Sequence, residues 1–196
     1  MRSTMSALVE EVRLLTNSPA SDYTVGSTTF ISDEEIQYLL DQHALDVRYQ
    51  AMTAVPTYGA GGTVTYTEYL TGYSSWEESP TIYDSTYAAH GTADYTFDAT
   101  VGVVTFDADT VGAVRLITGR VFDLHAVAAE IWTRRAAQNA MKFDVSTDNH
   151  SLSRSQIVKQ CNDMARTFKL MPPSYNRGRG GNRSTSVMAE RPDCLG

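Results

Sequence analysis

The apolar residues of this chain change their spacing twice, and that change limits what it can fold into. In MSALVEEVRLLT, residues 5 to 16, Leu8, Val12 and Leu15 fall on one helical stripe, with Glu10, Glu11 and Arg13 elsewhere. Asn17-Ser18-Pro19 stops the stripe, because proline lacks the amide and crowds the preceding turn. After a Ser/Thr/Gly-rich loop to Phe30, Ser32 opens a second helix. Its hydroxyl is placed to accept from the amide of Glu35, whose carboxylate can return a bond. Phe30 or Ile31 can staple onto Ile36. Ile36, Leu39, Leu40, His43 and Val47 continue one face, which predicts a helix to about Ala54, before Pro56.

From Tyr58 to about Ile117 the pattern alternates instead. Gly59, Gly61 and Gly62 open a stretch rich in Thr, Tyr and Val, in which residues 63–70 (TVTYTEYL), 94–98 (DYTFD) and 103–107 (VVTFD) read as strands. FDATVGVV from Phe97 and FDADTVGAV from Phe106 each put polar residues and a glycine behind a strand. That is recurring turn chemistry; eight or nine residues are too few for a repeated folding unit.

Helical spacing returns at Arg120. Val121, Leu124, Val127, Ala128, Ile131 and Trp132 form a broad apolar face, and after a corner Ile157, Cys161, Met164, Ala165 and Phe168 form another. Pro172-Pro173 ends it. These patterns predict an α+β protein: a small antiparallel bundle of about four helices with an inserted β-hairpin-rich region and an extended C-terminal arm. The expected divisions are N-terminal bundle helices over 1–57, the β-rich insertion over 58–117, C-terminal bundle helices over 118–171 and the arm over 172–196. The arm has almost no apolar residues and is expected to stay unstructured until something orders it.

The corner carries Asp144, Ser146 and Asp148 at every second position, the opening ligands of a calcium loop. Counted from Asp144, position 6 is Asn149 and position 12 is Ser155, which cannot supply the bidentate carboxylate such a loop needs. Ser153 with Gln156 instead makes a capping box, so the stretch reads as a turn between helices. His43, His90, His125 and His150 are isolated, and His43 and His125 lie on or near apolar faces, where a hydrogen-bonded structural role is expected. No phosphate loop, Gly-x-Ser-x-Gly elbow or paired-cysteine motif is present. Asp107 and Asp109 alternate as turn residues do. Trp132 reads as core or subunit contact, and Trp76, beside Glu77 and Glu78, as exposed at a partner surface. The residues point to no catalytic, cofactor or metal site.

Net charge is −7, which argues against a general affinity for nucleic-acid backbone or anionic membrane. Residues 172–196 hold four arginines against Glu190 and Asp193, a surplus of two, so residues 1–171 carry −9. An acidic body with a basic arm implies an acidic surface for the arm to meet. Cys161 falls on an apolar helix face and Cys194 in the arm, so a reducing, cytosolic site of synthesis is expected. No apolar run approaches the roughly 18 residues of a membrane helix, and the start lacks a signal-peptide core.

The segments VEEVRLLTNSPASDYTVGSTTFISDEEIQYLLDQHALDV (9–47) and GRVFDLHAVAAEIWTRRAAQNAMKFDVSTDNHSLSRSQIVKQCNDMARTF (119–168) together resemble the head-to-tail connector proteins (adaptor or head-completion proteins) of long-tailed, siphovirus-type bacteriophages. The β-rich middle departs from the smaller members of that family. The resemblance implies a structural virion protein of the neck, made in the host cytoplasm and without catalysis. It would form a ring of about twelve copies beneath the portal protein, with a stopper or tail proteins below. Genomic DNA would pass through the centre without sequence-specific binding. It also implies arm contacts to the portal or a neighbouring subunit, for which Tyr175, Arg177, Arg179, Arg183 and Arg191 are the candidates, since arginines spaced by glycines can pair bidentately with carboxylates. Tyr66, Tyr69, Tyr73 and Trp76 are the candidate partner contacts of the insertion, expected to be exposed. Two other roles fit the same residues: another neck or tail protein, such as a stopper, tail terminator or tail-fibre-associated protein, and a small hydrolase or metal-dependent enzyme using the Asp-rich turns.

Overall fold

A computed structural model describes residues 1–18, 23–25, 28–140, 145–147, 150–152 and 154–177, with side chains for 1–18, 31–140 and 155–176. After a 3-10 turn over Ser3–Met5, the elements in chain order are α1 (Ser6–Thr16), β1 (Tyr23–Val25), β2 (Thr28–Phe30), α2 (Asp33–Gln42), β3 (Ala44–Ala51), β4 (Thr53–Tyr58), β5 (Val64–Leu70), β6 (Thr81–Asp84), β7 (Tyr95–Asp98), β8 (Val103–Phe106), β9 (Arg115–Phe122), α3 (Leu124–Ala140), β10 (Val145–Thr147), β11 (His150–Leu152) and α4 (Arg154–Leu170). A further 3-10 turn spans Ser174–Arg177.

The small helix bundle with inserted hairpins is not what forms. Among the described residues there are four α-helices, together with two antiparallel sheets of three and four strands, ordered β3-β9-β6 and β4-β5-β8-β7. This sheet-rich region is larger than an insertion between bundle helices. The reason lies in two segments read as helical. Residues 44–51 pair with β9 from Ala44 opposite Phe122 to Ala51 opposite Leu116, and only Val47 of the strand is buried. Pairing with a central strand overrides a helical spacing that one apolar position, Val47, had extended. Between Val47 and Gln50 the register shifts, and Tyr49 sits there at φ 48° with its amide donating to Thr118 Oγ1. Pro56 does not stop a helix: it lies in edge strand β4 where the register slips between Val55 and Thr57, a position that tolerates a missing amide.

The helix starts follow side-chain chemistry. Ser32 caps α2 by accepting from the amide of Glu35 at 3.2 Å; the Glu35 carboxylate takes its return bond from the amide of Ile31 at 2.8 Å, one residue earlier than the reciprocal box places it. The helix expected from Arg120 begins at Leu124 instead, because 115–122 is the central strand of its sheet. Asp123 Oδ1 accepts from the amides of His125 and Ala126 and so caps α3.

The two look-alike turns use the same device. Asp98 Oδ1 accepts from the amides of Thr100 and Val101, and Asp109 Oδ1 from those of Tyr66 and Val111. Each is followed by a glycine at positive φ, Gly102 at 70° and Gly112 at 69°. At Gly102 a side chain is also sterically barred, because a Cβ there would lie 1.8 Å from the Tyr73 carbonyl oxygen.

Three apolar clusters hold the fold. Met5, Leu8, Val9, Val12, Ile36, Leu39 and Leu40 meet Phe122, Leu124, Val127 and Ile131 in a helical core, which Ile31 completes. Both sheets contribute to a second core of Val47, Tyr69, Trp76, Ile82, Val104, Phe106, Ile117 and Val121. Ala128, Ala129 and Phe168 join α3 to α4, with Trp132 and Met164 packed alongside. Strand β9 is common to the first two, with Ile117 and Val121 in the sheet core and Phe122 in the helical one. In α4, Cys161, Ala165 and Phe168 are buried and Ile157 and Met164 half-buried, the face its spacing predicts.

Candidate functional site

The feature that organises the surface is the anchorage of residues 172–177, which the sequence assigns to a free arm. Ser174 is buried where β9 passes into α3. Its hydroxyl donates to the Phe122 carbonyl at 3.0 Å and accepts from the Leu124 amide at 2.7 Å. Its amide donates to Asp123 Oδ1 at 3.1 Å, the oxygen that caps α3. Ser74 closes the other side: its hydroxyl donates to the Ser174 carbonyl at 2.9 Å and its amide to the Tyr175 carbonyl at 2.8 Å. His125, almost fully buried, donates Nδ1–H to the Pro172 carbonyl at 2.7 Å, a hydrogen-bonded structural part of the kind expected for it. A run with few apolar residues docks by satisfying backbone groups that the strand-to-helix junction leaves over.

Tyr175 is therefore half-buried, its ring packed edge-on to Tyr73 at 6.1 Å, and Tyr73 in turn meets Trp76 at 6.2 Å. The Arg177 side chain and Arg179, Arg183 and Arg191 lie outside the described residues. The insertion's candidates divide. Trp76 is 1% exposed and Tyr69 0%, so neither is the exposed contact expected of it. Trp76 donates Nε1–H to the Tyr73 carbonyl and Thr71 Oγ1 and packs edge-on to Phe97; the Tyr69 hydroxyl bonds Thr110 Oγ1 and the Ala113 carbonyl. Alternation alone could not say which face of β5 the other sheet would cover, and the acidic neighbours Glu77 and Glu78 suggested a wet surface at Trp76. Tyr66 and Tyr73 are half-buried. Exposed aromatic surface lies elsewhere, at Tyr49, Tyr83 and Tyr87, whose rings meet at 5.1 and 5.2 Å; Tyr49 and Tyr87 are exposed.

Charge is organised in two networks. Arg2 bridges Asp41 (2.7 Å) and Glu77 (3.1 Å), and Arg120 bridges Asp46 (3.1 Å) and Asp41 (3.5 Å), tying the N-terminus to α2 and β9. In the second, Arg134 pairs with Glu35 and Glu130, and His43 Nε2 lies 3.2 Å from Glu130, beside a cleft of about 360 Å3 that His125, Thr133 and Phe168 also line. Burial pushes the Glu130 carboxyl up, but hydrogen bonds from Arg134 and His43 outweigh it and hold the group below the usual carboxylate range. A depressed carboxyl stabilises the fold above its unfolded-state value and loses that contribution as pH falls through the folded-state value. Glu130→Gln should thus destabilise by about 1 kcal/mol near neutrality and by much less at about pH 3, as read by urea melts.

The Asp-rich turns are occupied by their own backbone. Hydrogen bonds from the Tyr66 and Val111 amides hold the Asp109 carboxyl below its ordinary value, and those from the Thr86 hydroxyl, the Ala88 amide and the Thr86 amide do the same for Asp84. Among the described residues no three His, Cys, Asp or Glu side chains converge as metal ligands would, and no helix is long and apolar enough to cross a membrane. Between α3 and α4 the short strands β10 and β11 pair antiparallel. Asp144, Asp148, Asn149, Ser153 and the Ser146 side chain lie outside the described residues. Cys161 is buried, which pushes its thiol pKa up; Cys194 lies outside the described residues.

Sequence reasoning missed Ser174, Ser74 and Asp123. Only Asp123 carried a signal, an N-cap residue ahead of an apolar helical run. No family model matches the chain, and no curated protein has a significantly similar sequence.

Proposed function

We propose that the protein is a structural virion component of a long-tailed bacteriophage, a head-to-tail adaptor whose copies close into a ring beneath the portal and let the genome pass. The observation that carries this reading is the anchored root of the basic segment. Ser174 and Tyr175 are pinned at the junction of β9 and α3, so a chain bearing Arg179, Arg183 and Arg191 starts from a fixed point on an acidic body. A fixed root lowers the entropy lost when such a segment binds a second surface. The clustered rings of Tyr49, Tyr83 and Tyr87 supply a surface of interface-like composition. A net negative body suits a channel through which DNA must slide without being held.

Imaging of the purified protein, alone and mixed with portal-bearing heads, tests this. A ring with a central opening that docks on the portal is expected, and a chain lacking residues 178–196 should fold but fail to join heads. A monomer that never associates with heads, or infectious particles completed by the truncated chain, would sink the proposal. A hexameric ring would favour a stopper or tail terminator instead.

A further inference from the structure

A groove of about 450 Å3 runs between α1 and the turn joining β7 to β8, within the size range of ligand clefts. Leu8, Trp76 and Phe97 are among its apolar lining residues, and the carboxylate-bearing residues lining it are Glu11, Glu78 and Asp98; among the described residues no lysine or arginine lines it. Its neighbour Glu77 is taken by Arg2 and the Thr4 hydroxyl. Glu78 and Asp98 have no cationic partner within salt-bridge distance among the described residues. An apolar surface bordered by carboxylates is matched by an arginine: its methylene stem lies along the apolar surface while its guanidinium pairs with the acids.

The chain itself offers such an occupant close by. From Tyr175 two ring contacts, of 6.1 and 6.2 Å, lead through Tyr73 to Trp76 in the groove. Residues 74–76 run alongside the groove's turn, with the amides of Ser75 and Trp76 donating to the carbonyls of Thr100 and Ala99. Tyr175 to Arg177 belong to the 3-10 turn, and beyond it Arg179 follows by two residues and Arg183 by six, spans of up to roughly 7 and 21 Å when extended, to which each arginine adds its long side chain. We propose that this groove binds the arginine-bearing segment 177–183 of the same chain, with Arg179 and Arg183 paired to Glu78 and Asp98. The free subunit thus keeps its basic segment on its own acidic surface until a competing acidic surface draws it off.

The inference rests on reading residues 178–196 as an arm, and its tests use the free full-length subunit, so ring formation can fail while it stands, and the reverse. In chains carrying Arg179→Lys or Arg183→Lys, a zero-length carbodiimide should link position 179 or 183 to Glu78 or Asp98. A mixture of 15N-labelled and unlabelled copies should yield those links only within one isotope. Absence of such links, or links of mixed isotope showing exchange between copies, overturns the proposal. In the chain with an unaltered arm, an arginine-specific protease should cut after Arg179 and Arg183 about tenfold faster once Glu78→Gln and Asp98→Asn are combined, the change expected for loss of two exposed charge-assisted contacts. Asparagine keeps the oxygen that serves the Thr100 and Val101 amides, and a thermal melt checks the fold. An unchanged cleavage rate in a folded variant also overturns the proposal.

Discussion

Trp76→Ala should destabilise the isolated subunit by about 3–5 kcal/mol, the cost of removing a buried aromatic side chain that its surroundings cannot refill. For a chain of this size the melting temperature would fall by on the order of 10 °C. The indole is 1% exposed, donates to Thr71 and Tyr73, meets Phe97 edge-on at 5.9 Å, and crowds Gly119 of β9 so closely that a Cβ there would lie 3.1 Å from it. Tyr58→Ala, at a side chain 76% exposed, should change stability by no more than about 0.5 kcal/mol. The pair separates two meanings of an aromatic in the β-rich region. If Trp76 faced a partner, its loss would leave the subunit's melt unchanged and appear only on assembly.

Where the C-terminal segment is cut should matter as much as whether it is cut. Deletion of residues 174–196 removes the Ser174 and Tyr175 hydrogen bonds and leaves the Phe122 carbonyl, the Leu124 amide and Ser74 without those partners. At about 1 kcal/mol for each net bond, the five bonds amount to a loss on the order of 5 kcal/mol. Deletion of residues 178–196 keeps the anchor and should cost no more than about 1 kcal/mol. Denaturant titration of the two truncated chains beside the full-length protein reads the difference directly. Equal stabilities would mean that the anchor contributes nothing to the fold, and a loss of assembly in the longer deletion could then be assigned to missing arginines alone.

Local chemistry was legible from the residues. Ser32 with Glu35 announces the start of α2, and the alternation of 63–70 and 103–107 marks β5 and β8. The apolar faces of α4 and, from Leu124 onward, of α3 fall where their spacing puts them, although Val121, read as part of the latter, belongs to β9. Non-local pairing was not. Residues 44–51 carry one buried apolar side chain, Val47, and become a strand because β9 lies beside them, which no window of eight residues records. At Trp76 the neighbouring Glu77 and Glu78 suggested a wet surface, whereas at Tyr69 of β5 the same blindness exchanged outside and inside. Alternation gives a period, and only the second sheet decides which phase of it meets water. The anchor was hidden for another reason. Ser174 docks through backbone groups and one hydroxyl, so hydropathy does not register it, and a proline pair followed by polar residues reads as a chain leaving the body.

Strand β9 continues into α3 with only Asp123 between them, and its side chains serve the sheet core and the helical core alike. Adjacent residues of this one strand, Val121 and Phe122, are thus buried in different cores, so a substitution at the junction disturbs the packing of both layers together.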